Sequence, residues 1–99
     1  MSEKQLRELD AWIAEHVTHE PTGFVWPQEY TTDPAAAMRV LEECGVECYK
    51  NNKHVSVRWY VGGWSVAARD SYEREHADAK TLPLAICLFA KELFAKEGK

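Results

Sequence analysis

No part of this 99-residue sequence stays apolar for long. The longest run, Leu82 to Ala90, has nine residues, and a membrane-spanning helix needs about twenty. Met1-Ser2-Glu3-Lys4-Gln5 holds no apolar core of a secretory signal, which predicts a chain that stays in the cytosol where it is made. Basic residues are scarce relative to acidic ones, 12 against 16, for a formal net charge of −4. Neutralising phosphates supplies most of the affinity of nucleic-acid binders, so nucleic acid is not an expected partner. No block of five like charges marks a tail or a mimic of a polyanion. Cysteines number three, which is odd and too few for a disulfide framework; Cys44, Cys48 and Cys87 read as reduced thiols. The sequence also lacks G-x-S-x-G, P-loop and G-x-G-x-x-G patterns, and no cofactor is expected.

What is present is enough for one core. Apolar residues make up 45% of the chain and aromatics 11%, including four tryptophans, so residues 1–99 read as a single globular domain rather than a disordered one. Ser2 with Gln5 three residues on is a capping box, and Leu6, Leu9, Ile13 and Val17 recur at helical spacing, predicting a helix from Glu3 to Val17. Asp33 followed by Pro34 and three alanines is a second helix start. Its inner stripe is Ala37, Val40, Leu41 and Cys44, and Gly45 is the expected stop. Val46 to Lys50 then reads as a short strand. His54 to Val61 alternates with Val55, Val57, Trp59 and Val61 on one side and His54, Ser56, Arg58 and Tyr60 on the other. Gly62-Gly63 is a hairpin signal, and Trp64 to Arg69 is the returning strand. Asp70 to Lys80 is polar and reads as loop or short edge strand. Leu82 to Lys96 is a third helix, apolar on nearly every face of its first half and therefore expected at the centre.

The class is α+β: a three-stranded antiparallel meander packed with three helices in the order α-α-β-β-β-α. The alternation in His54 to Val61 predicts that the sheet face carrying Tyr49, Ser56, Arg58, Tyr60 and Arg69 is wet.

Two groups of residues stand out as binding candidates. Phe24, Trp26 and Tyr30 sit among prolines in the irregular stretch Thr18 to Thr32, and rigid aromatics are favoured anchors for partners; the competing role for these rings is to cap the core under the loop. Arg58 and Arg69, with Tyr60, share a sheet face, where two guanidinium forks suit a carboxylate or phosphate; the competing role is pairing with Glu47 or Asp70. His16 and His19, at i and i+3, supply two ligands where zinc wants three or four; solvated imidazoles at a helix C-terminus fit the pair better, and no metal is expected. Cys44 and Cys48 have the wrong spacing for a C-x-x-C motif and read as half-buried side chains.

Tyr30-Thr31-Thr32-Asp33 leading into Ala35-Ala36-Ala37, then Gly62-Gly63-Trp64-Ser65-Val66-Ala67, then Thr81-Leu82-Pro83-Leu84-Ala85-Ile86-Cys87-Leu88, resemble in order and spacing the small phage and prophage proteins grouped as the phage ABA sandwich domain. The resemblance implies an α/β/α sandwich carried on phage genomes and supplies no catalytic or binding residues. The Thr18 to Gln28 loop departs from it. The expectation is a phage- or prophage-encoded accessory protein that acts as a binding module for a host protein or a small-molecule ligand, in the manner of counter-defence proteins, rather than by catalysis. Two alternatives stand beside it: a small metal-dependent enzyme using the histidines, and a homo-oligomeric assembly protein covering its sheet edges and using Phe89, Leu93 and Phe94 at the interface.

Overall fold

A computed structural model of the chain describes residues 2–19, 29–69 and 74–97. Its elements are α1 (Glu3–Ile13), a π-helical turn (Ala14–Thr18), α2 (Pro34–Lys50), β1 (His54–Tyr60), β2 (Gly63–Arg69), β3 (Arg74–Ala79) and α3 (Leu82–Glu97). The three strands form one antiparallel sheet in the order β1-β2-β3. The α+β class and the α-α-β-β-β-α order are therefore those expected.

The helix starts follow local chemistry. The Ser2 hydroxyl accepts the Gln5 N–H at 3.2 Å, and the Gln5 side chain accepts the Ser2 N–H at 2.9 Å. The Asp33 carboxylate accepts the Ala35 N–H at 3.0 Å ahead of Pro34 at the first turn. Leu9, Ile13 and Val17 are buried as their spacing predicts, although the last turn widens to π geometry instead of continuing α1.

The end of α2 corrects the sequence reading. Gly45 does not stop the helix, and 46–50 is helical rather than a strand. Continuing the helix carries the buried stripe Ala37, Val40 and Cys44 one turn further to Cys48. Burying that turn outweighs the ~1 kcal/mol that an interior glycine costs a helix. The chain reverses after Lys50 instead, where Asn52 takes a positive φ of 57°. The third strand of the meander is accordingly β3, from the polar segment 70–80.

All three helices join one core with one face of the sheet. Ile13, Val17, Val40, Cys44, Val66, Ala68, Ile86, Phe89 and Leu93 belong to it, with Val55, Trp64, Ala77 and Ala79 packed against it. Ala85, Ile86 and Cys87 are consecutive and all buried, which makes α3 the central helix its composition predicts. Phe89 and Leu93 are wholly inside and cannot form a subunit interface, contrary to the assembly reading of that helix. Gly63 is required by a close approach: a Cβ there would run into the Ala79 carbonyl oxygen across the β2–β3 pairing.

Candidate functional site

The register assigns each residue of the sheet to a face. Val55 pairs with Ala68, Val57 with Val66 and Trp59 with Trp64; Val66 and Trp64 pair onward with Ala77 and Ala79. This is the core face. The opposite face carries His54, Ser56, Arg58 and Tyr60 from β1, Ser65, Ala67 and Arg69 from β2, and His76 and Asp78 from β3. Among the described residues no helix covers this second face. The described residues thus form two layers, helices on sheet. The wet face is the one the alternation predicts, except that Tyr49 belongs to α2.

Between the larger side chains of this face lie only small ones, the half-buried Ser56 and Ser65 and the buried Ala67. Arg58 and Arg69 rise from the face, both exposed and neither hydrogen-bonded nor ion-paired among the described residues. They do not form the pair expected of them. Arg58 stands opposite Ser65 and Arg69 opposite His54, which separates them by four residues, about 13 Å along the strand. Arg74 lies opposite Arg69 on β3. Asp78 is the one acidic position that the register places on this face, 3.7 Å from the ring of His76. In a chain of net charge −4, the open face is therefore locally basic.

β1 is an edge strand, and its core-side row runs beyond the helices. Val57 is exposed, Trp59 is 67% exposed, and Val61, at the hairpin tip beside Gly62 (φ 106°), is 92% exposed. Tyr60 is 42% exposed on the other side. Met38, Leu41, Gly45 and Tyr49 form a stripe along α2, of which Met38 and Tyr49 are exposed. Trp59, Val61 and this stripe were not singled out as surface from the sequence. The regular alternation that marked Trp59 as inward is the same signal that would have exposed it, had the narrowness of the helix layer been known.

The aromatic-loop candidates divide. Tyr30 is 0% exposed, and its hydroxyl hydrogen-bonds the Thr18 hydroxyl at 2.9 Å. It is a core residue and presents nothing to a partner, which removes it from the binding set. Phe24 and Trp26 lie outside the described residues. His16 stacks on Trp12, with centroids 4.5 Å apart and planes at 16°, and its Nδ1 lies 3.0 Å from the Trp12 carbonyl oxygen. His19 occupies the left-handed region at φ 55°. Among the described residues no three potential ligands gather around a point that could hold a metal.

The cysteines are fully rather than half buried. Desolvation pushes the Cys44 thiol far above its ordinary range, and the neighbouring Cys48 and Cys87 add to it; desolvation likewise pushes Cys87 up to about 12. Such thiols are packing groups, not nucleophiles. Asp10 is the one buried carboxylate among the described residues. Burial raises its pKa against the opposing hydrogen bond from Thr31, and Glu29 raises it further. Two open grooves lie on the surface, one between β3 and α3 over His76, Asp78, Leu88 and Lys91, another on the outer side of α1. No described helix is long and apolar enough to cross a membrane. No protein-family model, no curated protein and no solved structure matches the chain.

Proposed function

We propose that this chain is a non-catalytic binding module whose working surface is the open face of its sheet, and that its partner there is an acidic protein surface. The observation that carries the reading is charge segregation. Arg58 and Arg69 stand unpaired among the described residues on a face bare of helices, with Arg74 beside Arg69 in register, on a protein that is acidic as a whole. Guanidinium groups not engaged by a described carboxylate are the donors that match carboxylates on another surface; Asp70, the competing partner of Arg69, lies outside the described residues. The side chains between the two arginines, Ser56 and Ser65, are small and half-buried, so they do not hold such a surface away. Small ligands prefer concave, enclosed sites, whereas the grooves beside β3 and on α1 are open, which favours a protein over a small molecule. The sequence resemblance to phage ABA sandwich proteins is what supports reading the module as a phage or prophage accessory protein of the host cytosol, with a host protein, a defence component included, as its partner.

The test is affinity capture from bacterial lysate with the wild-type chain and with an Arg58→Glu/Arg69→Glu variant. Both residues are exposed, so the variant should fold. A partner retained by the wild type and lost by the variant supports the reading. Equal capture by both moves the surface elsewhere.

A further inference from the structure

Among the described residues no strand pairs with the outer edge of β1. Tyr60 and Gly63 flank the two-residue turn Val61-Gly62 and oppose each other. The pair that closes such a hairpin is a hydrogen-bonded one, so the even-numbered residues of β1 direct their backbone groups to β2. The odd-numbered residues Val55, Val57 and Trp59 then direct theirs outward from the sheet. Two of them, Val57 and Trp59, also carry exposed apolar side chains, while Val55 is partly buried against the core. An edge strand with open backbone groups and exposed apolar side chains is a pairing template.

We propose that two copies of the chain join β1 to β1 antiparallel about a two-fold axis at Val57, forming one continuous six-stranded sheet. In this register Val57 meets Val57 of the second copy, and Trp59 of each copy covers Val55 of the other. On the open face, Arg58 stands opposite Ser56 and Tyr60 opposite His54. No like charges oppose each other. The next apolar-matched register, centred on Arg58, sets the two Arg58 side chains directly opposite in a close, non-hydrogen-bonded pair, which like charges disfavour. Charge therefore selects the register that the apolar row alone leaves open.

The area is adequate. Aromatic side chains bury 150–250 Å² each, so Trp59 at 67% and Tyr60 at 42% exposure offer on the order of 200 Å² per copy. α2 is the helix that packs on β1, so joining the edges brings α2 of the two copies side by side, with the Met38–Tyr49 stripe between them. Doubled over two copies, these surfaces reach on the order of 1,000 Å², where specific interfaces begin. The pairing also does what Arg58 and Arg69 cannot within one chain: it sets two Arg58 side chains on a diagonal about 7–8 Å apart on the open face, close enough to share one carboxylate-bearing partner.

The experiment is native mass spectrometry and oxidative cross-linking on the full chain. The wild type should appear at twice the chain mass, and Trp59→Lys, a change at a mostly exposed position, should halve it while circular dichroism stays unchanged. Val57→Cys should cross-link across the axis, because directly opposed hydrogen-bonded residues are about 5.5 Å apart between Cα atoms, as disulfides require. Arg58→Cys should not. A wild-type monomer overturns the proposal, including a monomer that instead holds another protein through Trp59. A dimer that survives Trp59→Lys overturns it by placing the interface elsewhere, and a dimer that cross-links through Arg58→Cys but not Val57→Cys overturns the register.

Discussion

The Asp10 carboxylate accepts the backbone N–H of Thr31 at 2.9 Å, with both residues buried. This bond ties α1 to the residues just ahead of α2, as does the Tyr30–Thr18 hydroxyl pair for the π-helical turn.

Burial raises the Asp10 pKa above its ordinary value of 3.8, and the sign of the pH effect follows. Between the unfolded and the raised folded value, the native state holds the proton that the unfolded state has released. Stability from this group is fully present below the unfolded value and falls as pH rises to the folded one. Asp10→Asn keeps an acceptor for Thr31 and should remove that pH dependence. Asp10→Ala strands the Thr31 N–H and should cost about 1–3 kcal/mol at all pH values. Urea denaturation of the three proteins across the acid range checks both; parallel pH profiles for wild type and Asp10→Asn would contradict the assignment.

Gly45→Ala should stabilise the protein by about 0.5–1 kcal/mol, since an interior helical glycine gives up that much to alanine. A Cβ at Gly45 meets nothing within 4 Å, so there is no steric charge against the gain. Thermal denaturation reads the change. A loss of stability would mean that the helix ends at Gly45 after all.

Gly45 also shows how the sequence misleads. A glycine after an apolar stripe has the look of a helix stop, and Val46 to Lys50 is short and mixed enough to pass for a strand. Only the burial of Cys48 on the far side of the glycine, a tertiary effect, decides for helix. β3 was hard to see for the opposite reason. Its outward positions His76 and Asp78 are polar because that face is open, and its inward signal reduces to Ala77 and Ala79. Helix starts at Ser2 and Asp33, and the alternation of 54–60, depend on local chemistry and were readable directly. The open face was legible from Ser56, Arg58 and Tyr60. The separation of Arg58 from Arg69 was not, because register depends on the hairpin turn falling at Val61-Gly62.

The three thiols should be inert in the native state. Cys44, Cys48 and Cys87 are at most 1% exposed, and desolvation holds Cys44 and Cys87 protonated at neutral pH. Ellman's reagent should label them only at the rate of unfolding, and all three at once in denaturant. Rapid labelling of any one in native buffer would contradict the packing around α3.

Phe89→Ala should cost about 3–5 kcal/mol, the usual penalty for emptying a fully buried aromatic site. Val61→Ser, at a hairpin tip that is almost fully exposed, should change stability by less than about 0.5 kcal/mol. Paired urea midpoints read the contrast directly. Similar losses for the two would mean that the core is not centred on α3.

The open basic face is the account's central claim, and a ¹H–¹⁵N NMR titration of the full chain with poly-glutamate tests it most directly. Amide shifts should concentrate at Ser56, Arg58, Ser65, Ala67 and Arg69, fade as salt is raised, and vanish in the Arg58→Glu/Arg69→Glu variant. Shifts confined to α1 or α3, or none at all at low salt, would contradict the assignment of this face as the binding surface.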